Sequence, residues 1–166
     1  MIFNECQTLS SIIDDTRKLT LSFLSQLEDS NGFYNDFKLD DKHLNSAFWI
    51  MAHLSVTQNF LLLRSTGGET IKIPYARQFG MGAVPPSREE CPPLEEVRGI
   101  FNLVHEKSVK HIQNLEPSQL NQINTTGFVF LGEDSIRSVI VHAIRHENMH
   151  SGHLSWLCKL NGLKTI

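Results

Sequence analysis

Cysteine is scarce and badly placed for cross-linking: Cys6, Cys91 and Cys158 are odd in number, far apart and in no C-x-x-C pair. Such a set makes poor material for a disulfide framework and fits a reducing cytoplasm, the expected location. Positive charge is not in excess. Fifteen Lys and Arg against 18 Asp and Glu leave a formal charge of -3, so there is no basic field for nucleic acid or an anionic membrane surface. Long apolar runs are missing as well, since none approaches the roughly 18–20 residues of a membrane span. The start, MIFNECQTLS, lacks the basic and apolar regions of a secretory signal. Neither a nucleic acid nor a membrane is therefore expected as a partner. Internal repeats and low-complexity tracts are also lacking. What remains is 40% apolar and 20% charged over 166 residues, which reads as one soluble globular domain spanning 1–166.

The chain carries four long helical patterns separated by turn-rich breaks. The first runs from about Glu5 to Glu28, with Leu9, Ile12, Ile13, Thr16, Leu19, Phe23 and Leu27 three and four apart on one stripe. The second runs from about Asn45 to Arg64 and is closed by Gly67 and Gly68. A stretch from Ser65 to about Pro93 follows, holding Pro74, Pro85, Pro86, Pro92, Pro93, Gly80 and Gly82. It cannot continue a helix, and it is long for an ordinary loop. It reads either as a pocket wall, with Tyr75, Arg77, Phe79 and Arg88 as possible substrate contacts, or as a surface crossover with those residues solvated. The third helix starts at Pro92-Pro93 with Glu95 and Glu96 in its first turn, where the helix dipole favours acids. A second break, with a possible short strand near residues 128–131, leads to a fourth helix. Asp134 is the expected N-cap and Gly162 the C-terminal stop. Four helices with one long connection between the second and third define an all-α four-helix bundle.

The fourth helix raises a chemical question. Its segment VIVHAIRHENMHSGHLSWL holds His142, His146, His150 and His153, four of the chain's eight histidines. His146 and His150, four apart, stand about 40° apart around the helix and one turn along it. Such a pair can converge on a divalent ion about 2 Å away. These rings border the apolar side of the helix, where a buried imidazole needs a partner for its nitrogens. Either a metal or hydrogen bonds to backbone and carboxylate would serve. The second helix offers one further inward imidazole, His53, on a face with Trp49, Val56 and Phe60. One histidine from one helix and two from another are the parts of a three-histidine site, and three neutral ligands leave positions open on the ion. His43 and His105 read as surface residues, His111 as a minor ligand candidate. Cys91 lacks an evident histidine partner and is not a nucleophile candidate.

WIMAH in the second helix together with HENMHSGH in the last resembles the DinB family across about Glu5 to Leu160. The resemblance implies an up-up-down-down bundle and a divalent metal, zinc or nickel, on His53, His146 and His150. It further implies homodimers, and activities that include transferases and isomerases using a low-molecular-weight thiol. The alternatives are a hydrolase acting through water and a non-catalytic metal-binding or stress-response protein. Two positions depart from the family pattern, arginine before the glycine and glutamine after it, which are Ser151 and His153 here. His153 could be a further ligand, a donor behind a ligand, or solvent-facing; His142 could orient or replace a ligand.

Overall fold

The computed structural model describes residues 4–165. Among the described residues, four long helices dominate: α1, Glu5–Asp29; α2, Ala47–Gln58; α3, Leu94–Gln113; and α4, Ile136–Leu160. Each begins for a local chemical reason. Asn4 starts α1 with a reciprocal cap: its Oδ1 accepts the Gln7 N–H at 2.9 Å, and its own N–H donates to Gln7 Oε1 at 3.0 Å. Ser46 Oγ accepts the Trp49 N–H to open α2. The α4 cap is Ser135, accepting from the Ser138 N–H, and not Asp134 as expected. The Asp134 carbonyl is held outside the helix by the Asn124 N–H and Nδ2, at 2.8 and 2.7 Å, which leaves its neighbour in the capping position. At the other end Gly162 takes φ 73°, a left-handed turn that a side chain would resist.

The second helix ends differently from a simple α-helix. It passes into a π-helical turn, Asn59–Leu63, then a 3-10 turn, Arg64–Thr66, before Gly67 at φ 83°. Asn59 is pinned there by the long segment: its side chain donates to the Ile71 carbonyl at 2.9 Å and accepts the Ile71 N–H at 2.8 Å. A short hairpin, β1 Phe37–Leu39 and β2 Lys42–Leu44, fills the α1–α2 link. It is too brief for periodicity to reveal. It places His43 on β2, not at the helix start. Near residues 128–131 there is no strand, only the isolated bridges Ile123–Ser135 and Phe130–Glu133.

Side-chain pairs give the helix directions. Glu5 meets Arg137, Arg17 meets Glu147 and Phe23 meets Cys158, so α1 and α4 run parallel. Glu28 meets Arg98 and Asp14 meets His105, so α1 and α3 are antiparallel. Thr66, just beyond α2, meets His111 near the end of α3, while Ser46 at the start of α2 shares a cleft with Cys91 near the start of α3. These two are therefore parallel. The order is up-down-down-up, which corrects the up-up-down-down expectation. The short α1–α2 link reverses the chain, and the long segment carries it back along the bundle before α3 begins.

The α2 helix is apolar nearly all round, with Ala47 to Ser55 buried, because it is covered on all sides. Ile73, Tyr75 and Phe79 of the long segment are buried in the same core as Phe48, Trp49, Phe101 and Leu154. A second cluster joins Ile13, Leu62, Ile112 and Ile140 toward the opposite end. Ile12, expected in the α1 stripe, is 43% exposed. No helix among the described residues is long and apolar enough to cross a membrane.

Candidate metal centre

His53 sits mid-way along α2, its ring stacked on Trp49 one turn earlier at 4.6 Å between centroids and 15° between planes. Its Nδ1 lies 2.7 Å from the Phe79 carbonyl oxygen. A carbonyl can only accept, so Nδ1 carries the proton and Nε2 presents a lone pair. That lone pair faces His146 Nε2 on α4, 3.3 Å away. Two nitrogens each about 2.05 Å from a shared tetrahedral ion stand about 3.3 Å apart. His150 completes a near-equilateral triangle of rings: centroids are 5.2 Å (His53–His146), 4.9 Å (His53–His150) and 4.7 Å (His146–His150) apart. One nitrogen from each ring lies within 4.8 Å of the others, a group that could hold a metal ion.

The electrostatics suit a cation. Burial, then the charges of neighbouring rings, push His146 down to about 4 and His150 down to about 3. His53 is lowered as well, by burial above all. The three imidazoles are therefore neutral at pH 7, with lone pairs available. His146 Nδ1 is buried and finds no hydrogen-bond partner, so Nε2 is the nitrogen through which that ring meets its neighbours. A hydrogen bond from His146 Nε2 to His53 Nε2 would engage the facing nitrogens of two rings and leave out the third, His150. A cation would engage one nitrogen of each of the three.

The other histidines stand apart from this group. His142 stacks on Phe130, at 3.9 Å and 18°, with its centroid 6.1 Å from that of His146. His153 is exposed, with Nδ1 3.4 Å from His150 Nδ1, in the position of a group behind a ligand. His111 pairs with Thr66 Oγ1 at 2.9 Å. His105 is not the surface residue expected; its side chain is mostly buried and meets Asp14 at 3.1 Å. The long segment divides between its two readings, with Phe79 and Arg88 lining a cleft as in a pocket wall and Arg77 solvated as on a crossover. Tyr75 and Phe79 are core residues, Arg77 is exposed, and Arg88 lies 3.0 Å over the Tyr34 ring. Cys91 is half-buried and its thiol is pushed up, chiefly by burial, which makes it a poor nucleophile.

Two parts of the neighbourhood escaped sequence reasoning. One is the Phe79 backbone carbonyl, for which no side-chain pattern exists. The other is a buried polar cluster of Arg17, Gln58 and Glu147. Its signal was available: Arg17 lies between the inward Ile13 and Thr20, and Glu147 between the inward Ala143 and Ser151. Lone charges on buried faces of two helices invite each other.

Fold and site together define a four-helix bundle with a three-histidine group, drawn from α2 and α4, that is fit to hold a metal ion. A family model described as the DinB superfamily matches residues 12–154. The chain belongs to the DinB superfamily. No curated protein matches it.

Proposed function

We propose that the protein is a divalent-metal-dependent enzyme in which His53, His146 and His150 hold zinc or nickel and a low-molecular-weight thiol is a substrate of S-transfer. The observation that carries this reading is a set of three neutral imidazoles whose sphere the two spare histidines leave open. His142 is engaged with Phe130, and His153 sits beyond His150. A structural zinc usually has four protein ligands. A cation at this site supplies Lewis acidity that lowers the pKa of a thiol or water in its open positions. The chain's own residues do the rest. Phe79 fixes the His53 tautomer through its carbonyl, and Trp49 holds the ring plane by stacking, which is the work of groups behind metal ligands. A cytoplasmic location and a homodimer accompany this proposal.

One observation favours a second reading, a non-catalytic metal-binding protein. Two clefts of ≈ 540 Å³ flank the site, one lined by Trp49 and Phe79 and the other by His153, yet none of the three imidazoles is part of either described lining. Elemental analysis tests the metal: one ion per chain is expected in the wild type and none in His53→Ala or in the His146→Ala/His150→Ala pair. Unchanged metal in those variants rejects the site. Thiol consumption in the presence of an alkylating electrophile, metal-loaded against chelated, then separates the two readings; equal rates remove the enzyme.

A further inference from the structure

Arg17 and Glu147 are 2% and 1% exposed, an ion pair inside the bundle core. Arg17 Nε donates to Glu147 Oε1 at 2.7 Å, and its Nη2 to Glu147 Oε2 at 3.4 Å and Gln58 Oε1 at 2.5 Å. Its Nη1 donates to the Phe101 carbonyl at 3.2 Å, and the guanidinium lies 3.6 Å from the centre of the Phe101 ring. Gln58 Nε2 closes the loop by donating to Glu147 Oε2. Members of all four helices meet at one point.

Stability does not require such a cluster. Removing two ions from water costs several kcal/mol each, and apolar side chains of the same volume often serve as well or better. What the cluster adds is direction. Apolar burial is indifferent to small slips and rotations, whereas a forked guanidinium holding a carboxylate and an amide is not. The helices it fixes are those that carry the histidines. Gln58 lies on α2 five residues after His53, and Glu147 lies on α4 between His146 and His150. A slip of α4 by one residue would turn His146 and His150 by about 100° and shift them about 1.5 Å. A metal sphere tolerates about 0.2 Å.

We propose that Arg17, Gln58 and Glu147 form a positioning clamp that sets the register of α4 against α2 and so holds the three imidazoles on one point. As a device for metal binding it rests on the reading given above. The test replaces the cluster with apolar residues, Arg17→Met/Gln58→Leu/Glu147→Leu, which leaves no orphaned charge. The clamp predicts a folded protein with wild-type thermal stability or better, whose affinity for zinc, titrated against a competing chelator, falls about 10–100-fold. In the metal-free variant the side-chain NMR resonances of His53, His146 and His150 should shift and broaden. A folded triple variant with unchanged zinc affinity and unchanged ring resonances overturns the proposal. Should it not fold, Arg17→Lys decides by the same two readouts, since lysine keeps the charge and loses the fork. If the wild type takes up neither zinc nor nickel, the metal reading fails by itself. The ring resonances of the metal-free proteins still decide the clamp, disturbed rings supporting it and undisturbed rings refuting it.

Discussion

A buried imidazole with no ionic partner resists protonation, and this gives the site a predictable acid sensitivity. Unfolded histidines take up a proton near pH 6.5, while His146 and His150 in the fold hold out to about 4 and about 3. Between those limits the unfolded chain binds more protons, so stability is complete above about pH 6.5 and declines as the pH falls. The burial-lowered values of His53, His105 and His111 act in the same direction. Thermal melts of the metal-free protein should therefore drop steadily from pH 6.5 to 4. His146→Ala/His150→Ala should show a shallower decline; an identical slope in both proteins removes the burial argument. At this scale the three histidines were legible because 3.6-residue periodicity puts each on an inward face. The groups that orient them were not. The Phe79 carbonyl belongs to a segment whose path depends on where it docks, and Glu147 looks like any helical acid until Arg17 is opposite it.

Element boundaries follow from hydrogen bonds at the ends, and the fourth helix offers a direct check. Ser135→Ala should cost about 1 kcal/mol in chemical unfolding because it removes the acceptor of the Ser138 N–H. Asp134→Ala should cost much less, because its structural contact is made by its backbone carbonyl. The reverse ranking would return the cap to Asp134. Both residues are good caps in isolation, and only the Asn124 contacts decide between them. Similarly, the π-helical turn after Gln58 is invisible in residue types. It accompanies two adjacent side chains with fixed partners in different directions, Gln58 to the buried cluster and Asn59 to Ile71.

For the molecule as a whole, metal binding to the folded state alone must raise its stability. At a free concentration a hundredfold above Kd the gain is about 2.7 kcal/mol, or a Tm rise of about 5–10 °C for a chain of this length. Adding zinc to the chelated wild type should give that shift, and adding it to His53→Ala should not; a shift of equal size in the variant would place the ion elsewhere. Light scattering addresses the homodimer, with twice the 18.9 kDa chain mass expected and the single mass refuting it.

Composition, periodicity and turn residues determined by themselves that this chain forms an all-helical bundle of four, and that one inward imidazole on its second helix has two counterparts on the last. These are local properties, carried by spacing within each helix. Tertiary structure alone decided that the helices run up-down-down-up, that the 53, 146 and 150 rings converge while the 142 and 153 rings stand aside, and that Arg17 closes on Glu147. Those outcomes depend on contacts between residues 41 to 135 positions apart, and no pattern within one helix records the direction or register of its neighbours.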